Sequence, residues 1–187
     1  MTKIWFTSDT HYGHENIIKY SNRPFKTVEE MNKRLIINAN NRVKKTDTIF
    51  HLGDFCFKNT LNGKKGEGLI NPAEYYLNQL NGRYVNICGN HDYNNSLNTP
   101  ILGIVIEHGG HLMWLTHQPK DYNPKYSINL VGHVHKLWKF KQLVDGTILV
   151  NVGVDQWDFR PINITEILRA LSKWRKVMLK TNYEVKQ

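Results

Sequence analysis

Five short segments of the chain carry residue types that bind metals: Asp9-Thr10-His11, Gly53-Asp54, Gly89-Asn90-His91-Asp92, Thr116-His117 and Gly132-His133-Val134-His135. Taken singly, each has an ordinary explanation, since Gly-Asp is a common turn and a lone buried histidine is usually a satisfied one. Taken together they gather many polar groups that are costly to desolvate unless something charged compensates them. Carboxylate, amide oxygen and imidazole, without thiolate, suit Mn, Fe, Zn or Ni rather than a soft-metal or iron–sulfur site. So many candidate ligands are too many for one tetrahedral zinc. They suit two ions about 3.5–4 Å apart that share a carboxylate and a water, a pairing that yields a hydroxide nucleophile near neutral pH.

Each segment follows an apolar run that has to position it. Ile4 to Thr7, Thr48 to Leu52 and Tyr84 to Cys88 read as buried strands, and catalytic groups in open α/β sheets sit beyond the carboxyl ends of strands. Helical patterns run from about Val28 to Lys44 and from about Pro72 to Leu80, with Pro72 suited to a first helical turn. Further on, strands from Ile101 to Glu107 and Leu112 to Thr116 flank His108-Gly109-Gly110-His111, a hairpin turn by composition. Ile128 to Val131, Phe140 to Val144 and Thr147 to Val152 follow, the last two separated by Asp145-Gly146. Asn163 and Glu166 have capping-box spacing. The helix behind them puts Ile167, Leu171, Trp174 and Met178 on one face and Arg169, Lys173, Lys176 and Lys180 on another. Strands alternating with helices predict an α/β fold, and 187 residues without a repeat or linker predict one domain over 1–187.

In chain order the five segments read D-x-H, G-D, G-N-H-[DE], a single His and G-H-x-H. At these residues the sequence resembles the calcineurin-like metallophosphoesterase superfamily, most of all its small bacterial, archaeal and phage branch. The motifs run from Asp9 to His135, about two-thirds of the chain, and Asn151-Val152-Gly153 is similar to the family's closing segment. The resemblance implies a four-layer α/β/β/α sandwich, two mixed sheets face to face with helices outside. It also implies that Asp9, His11 and His135 hold a first metal, that Asn90, His117 and His133 hold a second, and that Asp54 bridges the two. His91 becomes the catalytic histidine and Asp92 the residue that orients its ring, while Asn90 doubles as a substrate contact. The activity implied is hydrolysis of a phosphate ester, first of all a phosphodiester in nucleic acid or a nucleotide, with two divalent cations, Mn ahead of Fe, Zn or Ni. Phosphomonoesterases and nucleotide pyrophosphatases share the fold. Some relatives have lost these residues and serve only as binding scaffolds, whereas this chain keeps every one, which favours an enzyme.

Other residues carry weaker signals. His14, three residues beyond His11, and Arg23, in Asn22-Arg23-Pro24-Phe25, are candidate contacts to a substrate phosphate. A loop histidine and a surface arginine are the plainer alternatives. His51 lies inside a strand and reads as core, and His108 and His111 read as exposed turn residues. The basic, glycine-rich stretch Lys58 to Gly68 lacks the GK[ST] ending of a Walker loop. It reads either as a rim loop that touches a polyanion or as a surface insertion.

Lys and Arg number 25 against 16 Asp and Glu, a net charge of +9 that favours polyanionic partners, nucleic acid first. A basic domain without such a partner would carry the same charge. No apolar run approaches the ~18 residues of a membrane span. The N-terminus enters a strand-like run at once, without a signal-peptide pattern. Cys56 and Cys88 sit beside apolar residues without CxxC spacing and read as buried free thiols of a reducing compartment. A cytoplasmic protein with no membrane association is the expectation, and its oligomeric state is left open.

Overall fold

A computed structural model describes residues 2–57 and 71–184, so the Lys58 to Gly68 stretch lies outside the described residues. Two sheets form the body. Strands β1 (Ile4–Thr7), β2 (Thr48–Leu52) and β3 (Arg83–Ile87) pair in parallel, in that order. Strands β4 (Gly103–His108), β5 (His111–Thr116), β6 (Ile128–Val131), β7 (Phe140–Gln142) and β8 (Ile148–Asn151) make a mixed sheet ordered β4-β5-β6-β8-β7. Side chains alternate across a strand, so Phe6, Phe50, Leu52 and Ile87 share one face of the first sheet. They meet Met113, Leu115, Ile128, Leu130, Ile148 and Val150 of the second sheet in one buried cluster. Each of these side chains contributes roughly 1.5–3 kcal/mol of burial.

The other face of the first sheet carries Trp5 and Ile49, packed on Val43. Beside them, α1 (Asn16–Tyr20), α2 (Val28–Asn40) and α3 (Ala73–Leu77) bury Ile17, Met31, Leu35 and Tyr76 in a second cluster. The α/β architecture expected from the sequence is the one observed, two sheets flanked by helices. Helix α2 starts where Thr27 Oγ1 accepts from the Glu30 N–H and the Lys26 N–H donates to the Glu30 carboxylate. It stops four residues short of Lys44 because Val43 turns in under Trp5 and Ile49. Strand β7 also ends early, where the Leu143 N–H donates to Thr147 O and closes a turn through Gly146 at φ +87°.

The final helix, α4 (Ile164–Glu184), opens on a reciprocal capping box. The Glu166 N–H donates to Asn163 Oδ1 at 3.0 Å, and the Asn163 N–H donates to Glu166 Oε2 at 3.1 Å. Ile164, Ile167 and Leu171 join the inter-sheet cluster and Trp174 packs on Phe140, but Met178 is 44 % exposed. The apolar face was read correctly. Met178, one turn beyond Trp174, lies outside that cluster.

Topology decides where the polar segments go. Strands β1, β2 and β3 are parallel, as are β5, β6 and β8. Asp9, Asp54 and Asn90 follow the ends of the first three strands, and His117 and His133 follow those of β5 and β6. Chain segments far apart in sequence thus leave their sheets toward a common centre.

Candidate metal centre

Two sets of side chains converge there. Asp9, His11 and His135 form one, and Asp54, His117 and His133 form the other, with the donor atoms of each set within 4.8 Å of one another. Asp54 links them: its Oδ2 lies 3.5 Å from His11 Nε2 and 3.4 Å from His117 Nε2. Asn90 Oδ1 lies 3.0 Å from His117 Nε2, beside the second set. Five of these residues have left-handed backbone: Asp9, His11, Asp54, His133 and His135, with φ between 44° and 71°. That conformation costs an L-residue about 1–2 kcal/mol. Cross-loop bonds offset it, the Asp9 N–H donating to Gly53 O and the His11 N–H to Asp54 O, each at 3.0 Å.

Glycines in the motifs make the close approach possible. Gly53 has φ +89°, and a Cβ there would run into the His117 ring and the backbone of Gly89. A Cβ on Gly132 would collide with Ser8 and the Asp9 carboxylate, which accepts from the His133 N–H at 3.0 Å.

The donor set fits cations. His11 Nε2 is buried and has no hydrogen-bond partner among the described residues. His117 Nδ1 faces Leu52 O at 2.7 Å, where only an N–H makes sense, so Nε2 points its remaining valence at Asn90 Oδ1 and Asp54 Oδ2. Three acceptors facing one another need a proton or a cation between them. Without metal, a proton takes that place: although burial opposes its charge, the Asp54 and Asp9 carboxylates raise the His117 pKa to about 9. Burial pushes the Asp54 carboxyl up, but the hydrogen bond and charge of His117 and the hydrogen bond from the His91 N–H hold it well below the usual range. His11 is driven well down by burial and held neutral, the form that ligates.

His91 is exposed, its N–H donating to Asp54 Oδ1 at 2.9 Å and its ring edge-on to His11 at 5.4 Å. The expected role of Asp92 is corrected. No hydrogen bond joins its carboxylate to the His91 ring. Instead Oδ2 accepts from the N–H groups of Asp54 (2.7 Å) and Gly89 (2.8 Å), and Oδ1 accepts from the Phe55 N–H (3.0 Å) and the Asn95 amide (2.7 Å). Asp92 pins the Asp54 loop to the Gly89 loop, because four donors surround a buried carboxylate that has no capacity left for an imidazole.

Arg23 is corrected as well, on both alternatives. It is 4 % exposed, so it is not a surface residue, and its donors are spent, so it is not a free clamp for phosphate. Nε and Nη2 grip Asp155 at 2.9 and 3.0 Å, Nη2 also reaches Asp9 O at 2.7 Å, and Nη1 reaches Thr10 O at 3.0 Å and Met31 Sδ at 3.3 Å. Asp155 is the residue that the sequence reading missed. Its Oδ2 accepts from His135 Nδ1 at 2.9 Å, which fixes the ring and presents Nε2 to the first set. No spacing motif marks Asp155, twenty positions beyond His135; the adjoining Asn151-Val152-Gly153 resemblance was the nearest signal. Asn151 itself braces the same loop, its amide donating to His135 O and Trp138 O.

His14 lines the cleft with His11, His91 and His135, its ring stacked on Phe57 at 4.8 Å. Burial first, then the charges of His91 and Arg23, bring its pKa down to about 4. His51 is core as read: it is fully buried, with Nε2 paired to Thr10 Oγ1 at 2.9 Å.

The residues of both donor sets lie within the span matched by one family model. The calcineurin-like phosphoesterase model matches residues 2–169. The chain belongs to that family. A 185-residue alignment relates it at 35 % identity to the uncharacterized protein MJ1445 of Methanocaldococcus jannaschii, covering 95 % of this chain and 96 % of that one. Among solved structures, the protein of unknown function AQ665 from Aquifex aeolicus superposes with a TM-score of 0.66 at 25 % identity, over 91 % of this chain and all of that one. The family uses divalent metals, and the two convergent sets are where this member can bind them. No helix among the described residues is long and apolar enough to cross a membrane.

Proposed function

We propose that the protein is a binuclear metal-dependent phosphoesterase, specifically a phosphodiesterase acting on nucleic acid or nucleotides. The observation that carries this reading is the position of Asp54 Oδ2 between His11 Nε2 and His117 Nε2, where one carboxylate edge serves both donor sets. Asp9, His11 and His135 would hold one cation, Asn90, His117 and His133 the other, and Asp54 both; Mn²⁺ is the first candidate. When bound, the cations supply an acidified water as nucleophile and neutralise the phosphoryl oxygens.

The chain's own residues do the rest. His91, exposed at the cleft and tethered through its N–H to Asp54, gives a proton to the leaving oxygen as the new P–O bond forms and the old one breaks. Asn90 and the neutral His14 ring line the space where the phosphate would sit. Arg23 and Asp155 set the His135 ring, and Asp92 sets the loop of Asp54. The +9 charge supports a polyanionic substrate. The free, buried Cys56 and Cys88 suit a reducing cytoplasm.

The test is hydrolysis of bis-p-nitrophenyl phosphate and p-nitrophenyl phosphate by metal-stripped protein, with and without Mn²⁺. Mn²⁺-dependent cleavage that prefers the diester is expected. If neither ester is cleaved while Mn²⁺ is shown to be bound, the enzyme reading gives way to a binding scaffold of the same fold.

A further inference from the structure

On the helix-facing side of the first sheet, next to the loops of Asp9 and Asp54, lies a cavity of ≈ 10 Å³. Thr7 and His51 line it beside Tyr12, Tyr84 and Phe159. The two pair in register on β1 and β2, and alternation puts both on the face of Trp5 and Ile49. Thr7 is 2 % exposed and His51 is fully buried, yet Thr7 Oγ1 and His51 Nδ1 have no hydrogen-bond partner among the described residues. The other ring nitrogen decides what Nδ1 needs. Thr10 Oγ1 donates to Phe55 O at 2.7 Å, so toward His51 Nε2, at 2.9 Å, it can only accept. Burial holds the ring neutral. Its one proton is therefore on Nε2, and Nδ1 is a lone pair in want of a donor, near a hydroxyl in want of a partner.

We infer that the cavity is a site for one water, which accepts from Thr7 Oγ1 and donates to His51 Nδ1, and that His51 so held is a positioning residue of the metal centre. Volume and chemistry agree, since a buried water needs ~10–15 Å³ and two to four polar partners. Two buried polar atoms too far apart to bond each other would otherwise both carry an unmet desolvation cost. The hydrogen bonds then run one way, from Thr7 through the water, His51 and Thr10 to Phe55 O. Thr10 stands between Asp9 and His11, and Phe55 follows Asp54. The chain of bonds thus ties the loop of the first donor set to the loop of the carboxylate that links both sets. Asn86, opposite His51 on β3, also has a buried side-chain oxygen without a partner among the described residues, but it does not line the cavity. The water site stands whatever the protein hydrolyses, whereas the positioning role rests on the metal centre proposed above.

The experiment is long-range ¹H–¹⁵N NMR of the His51 ring, with nuclear Overhauser contacts to water, in the full chain loaded with diamagnetic Zn²⁺ and in its Thr7→Val and Asn86→Leu variants. A single proton on Nε2 is expected, with a water contact at the ring Hε1 that Thr7→Val removes and Asn86→Leu keeps. A proton on Nδ1, no water contact in the wild-type chain, or a contact that Thr7→Val keeps or Asn86→Leu removes overturns the water site. Calorimetric Zn²⁺ titration tests the positioning role by comparing His51→Leu, which cannot donate to Thr10, with His51→Gln, whose amide can. His51→Leu should weaken metal binding about tenfold or more, and His51→Gln should keep most of the wild-type affinity. Thr10→Val, which leaves the His51 ring in place, should repeat the loss. Wild-type affinity in both His51→Leu and Thr10→Val overturns the role. A wild-type chain that binds no Zn²⁺ would take the metal centre and the role with it, while the ring's tautomer and water contact still decide the water site.

Discussion

The two halves of the candidate centre are built by different means. The half of Asp9, His11 and His135 is braced by side chains: Arg23 holds the Asp9 and Thr10 carbonyls and grips Asp155, which in turn holds His135. The half of Asn90, His117 and His133 is braced by main chain. Leu52 O fixes the His117 ring, and three backbone N–H groups converge on Asp92. A side-chain brace adds rigidity through one buried ion pair and fails when either partner is removed, because the other is then left charged and unpaired. A main-chain brace depends on glycines that let two loops touch, as at Gly53 against Gly89.

The largest expected effect falls on neither brace. His91→Ala removes an exposed ring that supports no loop, so both halves should keep their metals while kcat for the diester falls by ~10²–10⁴-fold. Metal content measured beside turnover checks this. Loss of metal in that variant would mean that His91 is part of the donor sets and that the two halves are not as drawn.

Substitutions in the braces should separate the halves. Asp155→Asn is expected to weaken one of two metal-binding steps by ~10–100-fold and spare the other, since the groups that lose their carboxylate partner, His135 and the Arg23 that holds Asp9 O, both serve the first set. Asp92→Ala strips the acceptor from four donors at once and should lower unfolding free energy by about 3 kcal/mol or more, with both metal steps weakened. Calorimetric Mn²⁺ titration and urea unfolding distinguish the two patterns. Equal effects on both metal steps from Asp155→Asn would erase the contrast between the halves.

This contrast also marks what could be read from the sequence. The main-chain half was legible, because a glycine that permits close approach and a ligand that follows it must be neighbours in the chain, as in Gly53-Asp54 and Gly132-His133. The alternating strands and the hairpin at Gly109-Gly110 were legible for the same local reason. The side-chain brace was not, because Arg23 and Asp155 meet across 132 positions and nothing near either residue records the partner. Asp92 was found but given the wrong task; adjacency to His91 suggested a contact that its backbone donors preclude. The early stop of α2 likewise came from a tertiary contact, Val43 under Trp5, that periodicity cannot contain.

The smallest expected effect concerns the floor beneath both halves. His51 pairs with Thr10, between Asp9 and His11, from the strand that leads to Asp54. Burial lowers its pKa from 6.5 to about 3, so between those values the native protein binds fewer protons than the unfolded chain and loses stability as pH falls. Full expression of that imbalance is ~1.4 kcal/mol per pH unit. Urea unfolding of metal-stripped protein from about pH 6 to about pH 4 should show a slope that is reduced by this amount in His51→Gln. Identical slopes would mean that His51 takes up its proton in the folded state.

The most direct test of the shared centre is the stoichiometry of Mn²⁺ binding to wild-type and Asp54→Asn protein by titration calorimetry. Two ions per wild-type chain, with at least one lost or greatly weakened in the variant, is the result expected of a carboxylate that serves both donor sets. One ion in the wild-type chain, or two bound with unchanged affinity by Asp54→Asn, would contradict it.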